Sequence, residues 1–353
     1  MVALLSKPFS VKAESGYWAF KGIPLFLTHS CLSTPLTGVF LTNCFPFMNR
    51  RTLLKSASLL PFVPELTVES SPQHLARKRS VRFAYVGDTH ITPETTPMKG
   101  VAQCLHHVQS QTDKPAFVLH GGDVIMDALK EDRSGVQKQW DAWHTVMKAE
   151  NSLPIEYCIG NHDVWGYDGA KSDPMYGKKW AVDLMRIGER YRSFDRNGWH
   201  FIILDSVQLT PENKWYTGFI DPEQLEWLKT DLAKTNSKTP ILILSHIPIF
   251  SPTAFFSESN VKNGNWAISG GLVLNNTPEL LKLFYQYPNI KAALSGHMHL
   301  LDRVDYNGVS YFCNGAVSGN WWKSDVYQQT KAGYALFDLF DDGSIERTYL
   351  QYT

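Results

Sequence analysis

Net charge is the first thing this sequence does without: 34 Lys and Arg balance 34 Asp and Glu. A neutral chain has no general electrostatic attraction to nucleic acid or to an anionic membrane, so no nucleic-acid partner is implied. Cysteine is scarce. Of the five, Cys31 and Cys44 precede Met48, leaving Cys104, Cys158 and Cys313, and no C-x-x-C occurs. Zinc-ribbon and thioredoxin readings therefore lack support, and the odd count on apolar segments predicts buried free thiols rather than a disulfide framework. There is no repeat at solenoid or propeller periods and no low-complexity tract. No apolar run is long enough for a transmembrane segment. What is left, with 43% hydrophobic residues, is one large α/β domain able to bury a sizeable core.

What the chain does have is a series of short apolar runs that end in metal-binding residue types. Phe83 to Val86 runs into Gly87-Asp88-Thr89-His90, and Ala116 to Leu119 into His120-Gly121-Gly122-Asp123. Ile155 to Ile159 runs into Gly160-Asn161-His162-Asp163, Ile241 to Leu244 into Ser245-His246, and Ile290 to Leu294 into Ser295-Gly296-His297-Met298-His299. Each run reads as a strand buried on both faces. Ligands of open α/β sheets bind at the carboxyl ends of strands, so the polar endings are expected to converge on one sheet edge. Residues two apart in an extended segment face the same side, which makes Asp88 with His90, and His297 with His299, expected ligand pairs. Glycines at 87, 121, 122, 160 and 296 are expected to let the backbone turn tightly beside them. For Gly160 to Asp163 alone an ordinary Asn/Gly turn with a capping Asp is the rival reading. The company of the other endings decides against it.

Residues 1–47 show no periodicity and are assigned no structure. Met48-Asn49-Arg50-Arg51-Thr52-Leu53-Leu54-Lys55, followed by a mild apolar stretch, resembles a bacterial twin-arginine signal. On that reading 48–79 is signal and linker, Met48 is the start, and the protein is periplasmic or secreted; the alternative is a basic linker on a cytoplasmic protein. The domain spans 80–353. Helices are expected at Met98 to Gln111, Val136 to Ala149, Tyr176 to Arg190, Pro222 to Lys234 and Pro278 to Tyr287. Further strands are expected at Phe201 to Asp205, Val309 to Cys313, Tyr334 to Phe340 and Ile345 to Tyr349, the last two joined as a hairpin through Asp342-Gly343. His106 and His107 fall within a helix, away from any strand end, and read as surface or packing histidines.

Asp88, His90, Asp123, Asn161, His246, His297 and His299 offer two carboxylates, one amide and four imidazoles, enough for two metal ions sharing a carboxylate. Imidazole with carboxylate suits Fe, Mn or Zn, and the number of nitrogens argues against Mg or Ca alone. Two ions roughly 3.5 to 4 Å apart clamp both oxygens of an in-line displacement at phosphorus and lower the pKa of a shared water to about 7. His162 is then the natural acid, with Asp163 the residue expected to set its tautomer.

In order, Asp88-x-His90, Gly122-Asp123, Gly160-Asn161-His162-Asp163, His246 and Gly296-His297-x-His299 resemble the calcineurin-like metallophosphoesterases over most of residues 80–350. The resemblance implies a four-layer α/β/β/α sandwich of two mixed sheets. It implies one metal on Asp88, His90 and His299, the other on Asn161, His246 and His297, and Asp123 between them. It also places Asn161 and His162 against the phosphoryl group. Purple acid phosphatases have Gly where this chain has His90 and Tyr where it has Met126, so their Fe-tyrosinate pair is not expected. The pattern looks like the bacterial phosphodiesterase branch, with small phosphate esters as substrates. Phosphomonoesterase activity, of the nucleotidase or acid phosphatase type, is the alternative, and a non-catalytic scaffold of the same fold is the third reading.

Trp321 and Trp322 are candidates for lining the substrate pocket, against the rival reading of core packing, with Lys323 beside them the basic residue expected to reach it. The loop Ser251 to Asn276 is expected beside the metals, its Phe255, Phe256 and Trp266 forming an apolar wall for the organic half of a diester. Only Lys262 is basic in it. A monoester carries more charge and calls for more cations, which tilts the substrate reading toward diesters.

Overall fold

The computed structural model describes residues 77–210, 216–256, 260–326 and 328–352. The unassigned stretch 1–47 and the export-signal reading at Met48 lie outside the described residues.

Along the chain come β1 (Arg79–Val86), α1 (Thr95–Gln109), β2 (Val118–His120), α2 (Arg133–Glu150), β3 (Ile155–Tyr157) and α3 (Lys179–Met185). Then follow β4 (Arg192–Arg196), β5 (Trp199–Ile203), β6 (Val207–Leu209), β7 (Tyr216–Gly218), α4 (Pro222–Lys234) and β8 (Ile241–Leu244). The remainder is β9 (Val261–Lys262), β10 (Asn265–Trp266), α5 (Thr277–Phe284), β11 (Ile290–Ser295), β12 (Asp302–Tyr306), β13 (Val309–Cys313), β14 (Tyr334–Phe340) and β15 (Ile345–Leu350). Asp132 and Asp221 cap α2 and α4, each carboxylate accepting a backbone N–H of the first turn at 2.9 Å.

Two sheets carry the fold. The first has the order β15-β14-β1-β2-β3, parallel across β1, β2 and β3. The second has the order β12-β13-β11-β8-β5-β4, parallel from β13 to β5 with antiparallel edges. Period-two alternation divides the side chains. Phe83 and Tyr85 of β1 belong to the apolar layer between the sheets, with Phe201, Leu242, Leu294 and Phe337. Phe83 meets Phe201 edge-on at 6.0 Å, and Phe312 meets Phe337 at 5.5 Å. Ala84 and Val86 instead share the outer core with Val101 and Leu105 of α1 and Trp140 of α2, which also takes in Ile241 and Ile243 and the helices α4 and α5. This is the expected α/β/β/α sandwich. A fully buried Phe is worth about 1.5–3 kcal/mol, so the ring layer holds the sheets face to face.

Departures from expectation are local. The segment 176–190 is helical only over α3, because Arg186 turns left-handed at φ 56° and ends it. Strands β4 and β12 are additional; each pairs through an Asn-Gly turn, Asn197-Gly198 and Asn307-Gly308, with both residues at positive φ. The long loop holds a 3-10 turn, Pro252–Phe255, and the small hairpin β9–β10. Cys104, Cys158 and Cys313 are buried and unpaired. Among the described residues no helix is long and apolar enough to cross a membrane.

Candidate metal centre

The polar endings converge from two sheets, not along one. From the first sheet, the turns after β1 and β2 hold each other through the backbone. Asp88 N donates to Gly122 O at 3.0 Å and His90 N to Asp123 O at 3.1 Å. The Asn161–Asp163 turn joins them, His162 N donating to Asp123 Oδ1 at 2.8 Å. From the second sheet, His246 Nδ1 donates to Gly121 O at 2.8 Å, His299 Nδ1 to Gly319 O at 2.8 Å, and His297 N to Asp88 Oδ1 at 2.9 Å.

Asp88, His90, Asp123, His297 and His299 all lie in the left-handed region, with φ between 40° and 70°. Non-glycine residues seldom do so, and such backbone clusters at functional sites. Asp88 and His90 do gather as a pair, but for the other pair the extended-chain expectation is corrected. His297 and His299 do not act side by side: His299 gathers with Asp88 and His90, while His297 gathers with Asp123 and His246. The role of the glycines is corrected as well. Of those at the ligand turns only Gly122 has positive φ; the others are needed for close approach. A Cβ on Gly121 would stand 1.9 Å from the Tyr85 hydroxyl, and one on Gly160 2.1 Å from Asp123 Oδ1.

Three groups bring donor atoms within 4.8 Å of one another: Asp88/His90/His299, His90/Asp123/His162 and Asp123/His246/His297. Asp123 belongs to two of them, and Asn161 Oδ1 lies 3.1 Å from His246 Nε2. The hydrogen bonds show what the set requires. With its Nδ1 proton on the Gly121 carbonyl, His246 aims Nε2 at two acceptors, Asp123 Oδ2 and Asn161 Oδ1, both at 3.1 Å. His299 likewise aims Nε2 at His90 Nε2, 3.0 Å away. Asp88 Oδ2 and His90 Nδ1 are buried without any partner. Lone pairs facing lone pairs in a dry site call for cations, and backbone carbonyls behind the imidazoles are the usual outer support of metal ligands. The donors therefore fit metal ions.

Electrostatics agree. Burial pushes the Asp88 carboxyl up to about 8, the nearby His246 opposing it only in part. Burial acts on Asp123 in the same sense, but His246 and His162 override it and hold that carboxyl well below its usual range. Burial lowers His297 to about 3 and His299 to about 4. His246 is the exception: burial would lower it, but Asp123 raises it to about 9.

Asp163 does not touch His162. It is the third residue of a tight turn whose carboxylate folds back onto backbone donors, Val124 N and Gly160 N at 2.8 Å each and Ile125 N at 3.3 Å. It braces the Asp123 turn, and the tautomer of His162 is set instead by the Met126 carbonyl, which accepts from Nδ1. The tryptophan pair also divides. Trp321 lies over His90, His299 and His162 at 4.1, 4.8 and 5.2 Å between ring centroids. Trp322 turns away: its ring abuts Gly100 of α1, and its Nε1 donates to the carbonyls of Thr89 and His90 at 3.1 and 3.0 Å. Lys323 lines the cavity on that far side. Phe255, Phe256 and Trp266 are exposed.

His120 is a part of the site that the sequence reading passes over. Gly122 N donates to its Nδ1 at 3.2 Å, its Nε2 faces Thr89 Oγ1 at 3.3 Å, and Thr89 Oγ1 donates to Val124 O at 2.8 Å. The relay ties the β1 and β2 turns together. Its position just ahead of Gly121-Gly122-Asp123 was the available signal.

The family model of calcineurin-like phosphoesterases matches residues 81–301. This chain belongs to that family. A calcineurin-like phosphoesterase is a metal-dependent hydrolase of phosphoric esters. The 3',5'-cyclic adenosine monophosphate phosphodiesterase of Haemophilus influenzae is 23% identical over 283 residues, covering 76% of this chain and 89% of its own. A 3',5'-cyclic-nucleotide phosphodiesterase of Nostoc sp. is 25% identical over 282 residues, covering 76% and 91%. Among solved structures, purple acid phosphatase from yellow lupin (Lupinus luteus) seeds shares the fold with a TM-score of 0.51 at 16% identity, over 77% of this chain and 51% of that one.

Proposed function

We propose that this phosphoesterase is a two-metal phosphodiesterase. The observation that carries the reading is the surround of the donor cluster, which is aromatic. Trp321 covers His90, His299 and His162, and Tyr216 stands edge-on to His297 at 5.9 Å. The charges that act most on Asp88 and Asp123 come from imidazoles and carboxylates, with no Lys or Arg among them. A diester carries one negative charge and two organic groups, and suits such a wall. A dianionic monoester would call for additional cations. The cyclic-nucleotide phosphodiesterases among the relatives support the same choice.

Asp88, His90 and His299 would hold one ion and Asn161, His246 and His297 the other, with Asp123 shared. Such ions supply Lewis acidity toward the phosphoryl oxygens and lower the pKa of water. The rest falls to the chain. The Met126 carbonyl leaves the Nε2 side of His162 to face substrate, where it can give a proton to the departing oxygen. The amide of Asn161 and the ring of Trp321 orient the ester, and the buried turns beneath exclude bulk water. The test is kcat/KM of the metal-loaded protein on bis-nitrophenyl phosphate, cyclic AMP, glycerophosphodiesters and nitrophenyl phosphate in parallel. At least one diester is expected to exceed the monoester; a monoester preferred over every diester would overturn the reading.

A further inference from the structure

Tyr85 carries a hydroxyl that has no partner among the described residues. The side chain is fully buried in the apolar layer between the sheets, where Phe83, Phe201, Phe312 and Phe337 carry no polar atom. A phenylalanine would fill the same place without leaving a buried donor unpaired, which is an expensive state. The hydroxyl lies directly beneath the ligand turns. A Cβ on Gly121 would stand 1.9 Å from it, one on Gly296 2.8 Å and one on Gly87 3.1 Å. Glycines beside Asp88, Asp123 and His297 thus leave the room that this one polar atom occupies.

The oxygen it meets there belongs to Asp88. The same Cβ on Gly296 would stand 2.3 Å from Asp88 Oδ2, so the hydroxyl and that oxygen border one small space, and Oδ2 is likewise buried without a partner. The two oxygens of Asp88 divide. Oδ1 accepts from His297 N at 2.9 Å and lies 3.6 Å from His299 Nε2, on the side of the donors His90 and His299. Oδ2 lies on the Tyr85 side. Burial first, and then the charge of Asp88, pushes the phenol well above its usual range, so it keeps its proton and can donate it. An unpaired donor beside an unpaired carboxylate oxygen, with the other oxygen turned to the imidazoles, is the arrangement of an outer partner that aims a metal ligand.

We infer that Tyr85 is the positioning residue of Asp88: in the metal-loaded protein its hydroxyl donates to Oδ2 and keeps Oδ1 turned to the ion. The inference rests on Asp88 being a ligand, as in the two-metal reading above, and not on the choice between diester and monoester. Tyr85 acts through Asp88 and not on the ester. Its effect therefore falls on the ion held by Asp88, His90 and His299, and leaves the ion on Asn161, His246 and His297 in place.

Dialysis of the metal-loaded full chain against graded EDTA, with the retained ions counted by elemental analysis, tests it in wild type and Tyr85→Phe. In the variant one ion per chain should leave at roughly ten- to a hundredfold lower free EDTA, the loss typical of removing an outer partner, and the other at the wild-type concentration. The melting temperature in excess EDTA separates this from a packing role. There the variant should match or exceed the wild type, because it lacks the unsatisfied hydroxyl. Tyr85→Leu, read by ion loss alone, serves if Tyr85→Phe fails to fold. Retention of both ions as in wild type, earlier loss of both together, or a lower Tm of Tyr85→Phe in excess EDTA would overturn the inference. Fewer than two ions in the wild type would instead overturn the two-metal reading, and the inference with it.

Discussion

The two sheets contribute unequal halves to the candidate metal centre. All the carboxylates, Asp88, Asp123 and Asp163, come from the first sheet, together with His90, Asn161 and His162; the second sheet supplies only imidazoles, His246, His297 and His299. The halves are also held differently. The first is tied to itself, by backbone bonds between the β1 and β2 turns, the Asp163 brace and the His120 relay. Two of the three second-sheet imidazole residues are held by the first half, His246 on the Gly121 carbonyl and His297 on Asp88. An acidic half with its own scaffold and a basic half that leans on it amount to a site whose shape is set largely by one sheet and completed by the other.

The strongest way to break that arrangement is Asp123→Asn, since Asp123 reaches into two of the three donor groups. Elemental analysis is expected to show loss of both metals, with a fall in activity beyond the roughly ten- to hundredfold typical of removing an outer partner. Retention of both ions would mean that the halves bind independently.

His162→Ala should come next. Its kcat is expected to fall about a hundred- to ten-thousand-fold on a diester with a poor leaving group, with KM nearly constant and metal content intact. His162 also stands within ligand reach of His90 and Asp123, so metal content separates the two roles. A fall to one ion per chain would make His162 a ligand and place it with the first-sheet donors.

A smaller effect is expected for His120→Ala, which cuts the relay without touching a donor. Metal affinity should drop by about ten- to hundredfold, and Gln at the same position, able to donate to Thr89, should recover part of it. Equal affinity in wild type and His120→Ala would show that the first half does not need this tie.

The smallest effect sharpens the comparison by contrast. His200 lies in β5 of the second sheet, away from the donors, with Nδ1 2.7 Å from Asp195 and Nε2 2.9 Å from Asp231. Burial would lower its pKa, but the two carboxylates raise it overall, whereas burial wins at His297 and His299. A folded pKa above the unfolded value of about 6.5 gives stabilisation that is fully present below that pH and lost as pH rises through the folded pKa. The difference in Tm between wild type and His200→Gln should therefore shrink as pH is raised from about 6. A gap that widened with pH would reverse the sign of the coupling.

Much of the fold was legible in the chain. The helix Pro222 to Lys234 needed only Asp221 and Pro222 at its start, and the β14–β15 hairpin only Asp342-Gly343. The Asn-Gly pairs at 197–198 and 307–308 carry the same signal and mark the two edge strands absent from the sequence-based list. The end of α3 at Arg186 carries none, because a left-handed arginine is a choice made by surrounding packing rather than by the residue.

Residue type and spacing by themselves determined the donor set, and the family resemblance that the ordered motifs carry implied the sandwich. Strand-end punctuation is local, and a carboxylate, an amide and imidazoles at buried strand ends leave little other chemistry. The sharing of His297 and His299 between the two groups was implied by the family resemblance and not by spacing. Only the tertiary structure decided that Asp163 braces backbone instead of His162, and that Trp321 lies over the donor imidazoles while Trp322 turns to α1. Asp163 is fixed by its own tight turn; for the rest one reason serves. The ligand turns and the tryptophan pair run through left-handed backbone, where the period-two rule of an extended chain no longer says where a side chain points. That conformation is held by contacts across the two sheets, made between residues as far apart in sequence as Asp88 and His297.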